Sequence, residues 1–214
     1  HLITYLIFLL TLKFIIIFFF IFCSLLSQAQ LLSYNVFKSN KEIGKMTVSR
    51  VSTLSEVIYE SITEVRYKIL IELEIKYMLK EIFEDGVLIR GEGFSSLNGS
   101  KKMTYNIFKK DEGYVLRTKE RHQTIPLETI TYSAAKIHFE EPKDKQPVFS
   151  QHFGNYLNFE EVDSHYYLLI SPQGENYYRY ENGICTEVTV IRDFGTLHFN
   201  IRPESYLIVN SPDS

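Results

Sequence analysis

The stretch from Val57 to Phe83, VIYESITEVRYKILIELEIKYMLKEIF, decides how the chain is read. Most of its apolar residues keep one phase: Val57, Tyr59, Val65, Tyr67, Ile69, Ile71, Leu73, Ile75, Tyr77, Leu79 and Phe83 all fall on odd positions. Glu60, Glu64, Arg66, Lys68, Glu72, Glu74, Lys76 and Lys80 fall on even ones. A period of two with β-branched residues is the pattern of a strand with one buried face. A helix would align Ile71, Ile75, Met78 and Ile82, but it strands Leu73 and Tyr77 among charges, so strand is the better description. Fully extended, the stretch would reach ~90 Å at ~3.3 Å per residue, too long for a domain of this size. It contains no Gly, Pro or Asn to make a sharp hairpin. The expectation is therefore a bulge or strong coiling, with the break at Arg66–Lys68 and Tyr67, Ile71, Leu73, Ile75 and Tyr77 facing the interior.

Outward from this stretch the turn signals multiply. Glu84-Asp85-Gly86, Asn98-Gly99 and Asp111-Glu112-Gly113 separate runs of strand length, and Asn98-Gly99 fits a type I′ hairpin turn. Asn98-Gly99-Ser100 is also a glycosylation sequon, with the turn the plainer reading. Upstream, Tyr34–Lys38 and Ile43–Arg50 read as a strand and its return, with Gly44 marking a bulge or a close backbone approach. Downstream the pattern loosens. Ile130–Phe139 fits a strand, a helix, or a strand broken near Ala134-Ala135, and Val148–Leu157 is ambiguous. From His165 the pattern is β-like again, with turns at Pro172-Gln173-Gly174 and Glu181-Asn182-Gly183. The fold class is all-β, mainly antiparallel: a curved meander forming a barrel or half-barrel, with little helix.

The N-terminal segment is different in kind. His1–Leu26 is nearly all apolar with Lys13 its one Lys or Arg, and Ser27-Gln28-Ala29 supplies small residues where a signal peptidase reads. Phe14–Phe22 is short for a spanning helix, although the apolar stretch before Lys13 lengthens it. The expectation is a signal peptide over residues 1–29, with 1–12 open to being translated upstream sequence, followed by one β-domain over 30–214. An uncleaved anchor is the alternative, and would be the chain's one link to a membrane. Export, to the periplasm or cell envelope, follows. The whole chain has 23 Lys+Arg and 26 Asp+Glu; without Lys13 the balance is 22 against 26, with no basic stripe of the kind that binds nucleic acid. Beyond the segment Cys185 is the one cysteine, so the exported part has no internal disulfide.

Several pieces together resemble a known family: Tyr34-Asn35-Val36 leading to Ile43-Gly44, the Asn98-Gly99 turn, Phe153-Gly154, Pro172-Gln173-Gly174, and Tyr178-Arg179-Tyr180-Glu181-Asn182-Gly183-Ile184-Cys185. They are similar to secreted bacterial β-proteins grouped as domain of unknown function 6134. The resemblance covers nearly all of the chain after the segment and implies bacterial export. It implies no activity and no functional residues.

The residues offer few chemical constellations. Cys185 lies at the start of a strand with no neighbouring His, which suits a buried thiol better than a nucleophile. His122, His138, His152, His165 and His198 lie at no metal-pair spacing, so no metal, cofactor or catalytic residue is assigned. Glu140-Glu141 and Glu160-Glu161 read as solvated loops. Aromatic residues are the positive signal, with Phe153, Tyr156, Tyr178 and Tyr180 the candidates for a ligand site. A β-core with tyrosines at its rim is the plainer account of them; a cavity for a lipid, a glycan-like or another amphipathic ligand is the functional one. The favoured function is a non-catalytic envelope module that binds such a ligand or an envelope partner. The alternative is an envelope hydrolase using Cys185 or a His–carboxylate pair. N-terminal sequencing of the exported protein is expected to begin at Gln30; a start before Gln28 would count against cleavage.

Overall fold

The computed structural model describes Lys13 and residues 28–68, 72–111, 113–119, 122–126, 129–193 and 195–205. Thirteen strands form one antiparallel sheet. The first eight are β1 (Gln28–Lys38), β2 (Lys41–Ser52), β3 (Glu56–Lys68), β4 (Glu72–Glu84), β5 (Val87–Leu97), β6 (Ser100–Lys110), β7 (Gly113–Thr118) and β8 (His122–Ile125). They form a meander in chain order. A short pair, β9 (Val148–Ser150) and β10 (Asn155–Leu157), forms a separate two-stranded sheet. The remaining five, β11 (Phe159–Asp163), β12 (Tyr166–Ser171), β13 (Gly174–Glu181), β14 (Ile184–Arg192) and β15 (Gly195–Ile201), form a second meander. β15 pairs antiparallel with β1, Tyr34 opposite Ile201 and Phe37 opposite His198, which fuses the two meanders. The spatial order is β11-β12-β13-β14-β15-β1-β2-β3-β4-β5-β6-β7-β8. The sheet is curled without closing, since β8 and β11 are its two ends. The one named helical element is a 3-10 turn at Lys143–Lys145. The all-β, mainly antiparallel, half-barrel expectation holds.

The decisive stretch is corrected in detail. It is a hairpin, β3 paired with β4 from Glu56 opposite Glu84 to Lys68 opposite Glu72. Arg66–Lys68 is not the break, since Lys68 is still paired opposite Glu72; residues 69–71 lie outside the described residues. In this register odd residues pair with odd ones, so both strands show the same face inward. That is why one phase runs through the turn unbroken. Tyr59 and Val65 of β3 and Leu79 and Phe83 of β4 are buried on that face. Tyr67 and Tyr77 pack against the core. Ile75, expected inside, is 37% exposed at the open end of the sheet, and Leu73 is half-buried. Ile71 lies outside the described residues.

The turns are as their residues dictate. Asn98 and Gly99 take φ of 49° and 76°, and Asn182 and Gly183 take 51° and 80°, the left-handed pair that a type I′ turn requires. Asn98 also caps a neighbour: its Oδ1 accepts from the Glu74 N–H at 2.7 Å. Gly44 is both things expected of it. The β1–β2 register slips beside it, between Val36 opposite Gly44 and Phe37 opposite Glu42. A Cβ there would also run into the carbonyl oxygen of Glu64 on β3. Gly44→Ala is therefore expected to lower stability by about 1–3 kcal/mol, since the obstacle is backbone and cannot rotate away; urea denaturation followed by circular dichroism measures it.

Candidate functional site

The chain must travel from β8 at one end of the sheet to β11 at the other, and residues 126–158 do so across the concave face. The first part, 130–140, forms a strap with no regular hydrogen-bond ladder. Ile130, Tyr132, Ser133, Ala135, Ile137 and Phe139 are buried in it. Its peptide groups cannot be left unbonded away from water, so the sheet supplies partners. Tyr114 on β7 accepts from the Ile130 N–H at 3.0 Å and donates to the Leu88 carbonyl at 2.8 Å, while Leu88 N–H donates to the Ile130 carbonyl. Tyr180 on β13 donates to the Ile137 carbonyl at 2.9 Å, and Cys185 N–H donates to that of His138. Tyr132 donates to the Glu140 carbonyl at 2.6 Å. The sequence of Ile130–Phe139 leaves open a strand, a helix, or a strand broken near Ala134-Ala135; it is a turn-rich strap whose bridge at Ser133, parallel to Phe149, gives way to turns from Ala134 onward.

Glu81 is the central latch. It stands on the inward face of β4, 0% exposed, in the phase otherwise held by apolar side chains. Its Oε2 accepts from the Ser133 hydroxyl and from the Ala135 N–H, and its Oε1 from the Gln151 side-chain amide. Gln151, itself buried, lies over Gly91 of β5, directly opposite Glu81 in the β4–β5 register, and any Cβ at that position would collide with its amide. Burial pushes the Glu81 carboxyl up to about 7, against the pull of its donors and of Lys136. Lys136 spans the two carboxylates of this end, its Nζ 4.5 Å from the Phe83 ring centroid and 3.5 Å from Glu140 Oε2. Glu140 also accepts from the Tyr59 hydroxyl at 2.7 Å. Glu141 accepts from Tyr167 and pairs with His165, both at 2.8 Å. The Glu140-Glu141 pair is thus no solvated loop, because tyrosines on the sheet hold both side chains. Glu160 and Glu161 are exposed, though on β11.

Where the strap ends the concave face is left uncovered, and a cavity of about 470 Å³ remains. One wall is the inward face of β2–β6, including Met46, Ser61, Tyr77 and Leu79; the other is β12–β15, including Leu169, Tyr178, Val188 and Phe199. Ile137 and His138 of the strap close its floor, and His152 and Phe153 lie along its side. Ile75 and Gln173, both exposed, mark the mouth at the end of the sheet that carries the Asn98-Gly99 and Pro172-Gln173 turns. Burial holds the His138 imidazole down at about 4; its Nδ1 is buried without a hydrogen-bond partner, and its ring lies 5.6 Å from that of Tyr34.

Of the four aromatic candidates, Phe153 and Tyr178 stand on the cavity wall. Tyr156 packs edge-on to Phe149 and Tyr180 is spent on the strap carbonyl, so neither lines it. Cys185 is 0% exposed, its thiol donates to the Glu187 carbonyl, and burial pushes it far up, as a packed thiol should be. Among the described residues the His–carboxylate contact is that of His165 with Glu141; neither lines the cavity, and the further partner of Glu141 is the Tyr167 hydroxyl. No group of three or more His, Cys, Asp or Glu gathers as a metal site among the described residues. The residues missed from sequence are Glu81, Ser133 and Gln151. Glu81 had a signal, an acid at an odd position inside the apolar phase; the other two had none.

A family model described as "Domain of unknown function (DUF6134)" matches residues 34–202. Among solved structures, a beta-barrel-like protein of domain of unknown function DUF1849 from Brucella abortus is similar in fold. The two are 10% identical, with a TM-score of 0.51 over 83% of this chain and 96% of that one, a likeness of fold alone. No curated protein matches the chain.

Glu81 and His138 make opposite demands on pH. The Glu81 value lies above the ordinary 4.5, so the native state holds a proton that the unfolded chain releases, and stability falls as pH rises from 4.5 through 7. The His138 value lies below the ordinary 6.5, so stability falls as pH drops from 6.5 through 4. Between pH 4.5 and 6.5 the two largely cancel. Glu81→Gln should uncover the histidine slope, with stability rising with pH relative to wild type by about 1 kcal/mol per unit. His138→Phe should uncover the opposite slope. Urea denaturation at pH 5.0, 5.5, 6.0 and 6.5 reads both as differences from wild type.

Proposed function

The chain belongs to the DUF6134 family of domains of unknown function, and we propose that it is an exported, non-catalytic binding module that takes an apolar or amphipathic ligand into the cavity between the two meanders. The observation that carries this reading is the cavity itself. Its volume of about 470 Å³ lies within the ~300–1,000 Å³ usual for small-molecule sites. Its wall is mainly aliphatic and aromatic within, with hydroxyls from Ser61, Thr63, Ser95 and Ser150, and it turns polar toward the mouth at Gln173 and Asn176. Export rests on the apolar segment before Gln28 and on Ser27-Gln28-Ala29. The hydrolase reading finds no comparable support: Cys185 is sealed, and His165–Glu141 has a tyrosine, not a serine or thiol, as its companion.

The test uses 1-N-phenylnaphthylamine, a neutral dye that fluoresces in apolar surroundings, with the full chain. Ser61 faces the cavity from β3, opposite Leu79, and Ser61→Trp should fill it. Wild type is expected to enhance the dye and Ser61→Trp to abolish the enhancement while keeping its circular dichroism. Equal enhancement by both proteins, or none by wild type, would sink the proposal.

A further inference from the structure

The cavity wall carries one permanently charged side chain, Arg192, and no Asp or Glu. Arg192 is the last residue of β14, half-buried, at the mouth beside Ser171, Gln173 and Asn176. Several strand cations are paired, as Arg66 is with Glu74, Lys76 with Glu64 and Arg179 with Glu187. Among the described residues Arg192 has no carboxylate within ion-pair distance. Its guanidinium is instead held by neutral acceptors. Nη1 donates to the carbonyls of Glu175 at 3.2 Å and Ile191 at 2.7 Å, and Nη2 donates to Asn176 Oδ1 at 2.8 Å. The Glu175 carboxylate is turned to the Tyr177 hydroxyl.

Of the five N–H donors of a guanidinium, three are thereby engaged, which leaves Nε–H and one N–H of Nη2. Nε and Nη2 share one edge of the guanidinium, the edge that can meet a carboxylate or phosphate with two parallel hydrogen bonds, and the Nε–H on it is unengaged. The three neutral contacts hold the group in place without cancelling its charge. At a half-buried position the charge is only partly screened by water, so an anion brought to it gains more than it would at a fully exposed one. The volume adds a second restriction. At the ~30 Å³ that one water occupies in the liquid, taken as the share of one heavy atom, the cavity has room for roughly 15. That is one acyl chain of medium length with its head; a two-chain phospholipid would leave most of itself outside.

We infer that the ligand is a single-chain anionic amphiphile whose head group sits on the free edge of Arg192 and whose chain runs inward toward His138. This deepens the cavity-binding reading and rests on it. The test compares dodecanoate, dodecanol and dodecyltrimethylammonium at pH 7.5 by displacement of the neutral dye from the full chain. Wild type is expected to bind dodecanoate about ten-fold tighter than dodecanol, the worth of one charge-assisted contact, and the cation weakest. Arg192→Gln should bring the acid to the level of the alcohol and leave the alcohol unchanged. Should Arg192→Gln fail to fold, Arg192→Lys retains the charge and should still prefer the acid. Equal binding of acid and alcohol by wild type overturns the inference while the cavity reading stands, as does equal loss of both in Arg192→Gln. Binding of neither by wild type overturns the cavity reading itself.

Discussion

The structure depends on one constraint: an irregular backbone that crosses a buried face must find a hydrogen-bond partner for each peptide group. A strand gets its partners from its neighbours. The strap over residues 130–140 has only the short bridge to Phe149 and single backbone contacts from Leu88 and Cys185, so side chains from the sheet and from the strap itself must supply the rest. Each donor or acceptor left bare would cost about 1–3 kcal/mol, enough over several residues to undo a domain. Tyrosine meets this need, because its ring buries like a core residue while its hydroxyl extends to a carbonyl or an N–H. Tyr114, Tyr132 and Tyr180 do this for the strap, and Tyr34 does it for the Cys185 carbonyl at 2.6 Å. The 15 tyrosines and absence of tryptophan in the chain accord with that role. The aromatic richness is chiefly an answer to the strap, and only secondarily a ligand surface.

Glu81 shows the same constraint taken to its limit. No tyrosine could serve Ser133, Ala135 and Gln151 together, because a hydroxyl has one proton and a single oxygen. A carboxylate has two oxygens and accepts from all three. The arrangement ties β4 to both the strap and the turn that carries Gln151. It also makes the latch protonatable near neutral pH. His138, two residues beyond Lys136 on the same strap, is held neutral by the same burial. Two groups of opposite sign response, one on β4 and one on the strap it holds, keep stability nearly level across mildly acid conditions.

Legibility in the sequence followed the range of the interactions. Hairpins are local, and Asp85-Gly86, Asn98-Gly99 and Asn182-Gly183 announced theirs. Phase is local too, so the inward faces of β3 and β4 were read even though the turn between them was not: odd-to-odd pairing conceals a reversal from any count of period. The β1–β15 joint, by contrast, links Tyr34 to Ile201, and nothing in either strand names the other. The strap escaped for a different reason. Its apolar positions, Ile130, Tyr132, Ala135, Ile137 and Phe139, obey a period set by the shape of the concave face rather than by a helix or a strand. Of the site, Phe153 and Tyr178 were visible as aromatics. Arg192 was hidden, since only the surroundings distinguish an unpaired arginine from the paired Arg179.

The open sheet and the cavity are two consequences of the same path. Because β15 joins β1, the sheet's free ends are β8 and β11, which are neighbours in sequence but lie at opposite ends of the sheet. The connection between them has to cross a sheet that is thirteen strands wide. On the concave side the crossing is short and buries Ile130, Tyr132, Ile137, Val148 and Phe149 against the sheet, whereas on the convex side it would be long and wet. A connection of some thirty residues cannot fill the whole trough. It fills the end where Glu81, Tyr59 and Tyr180 hold it, and the far end stays open with Arg192 at its lip. The size of the cavity is therefore set by the length of the crossing segment, and its apolar character by the inward phase of strands that would otherwise have met a longer strap.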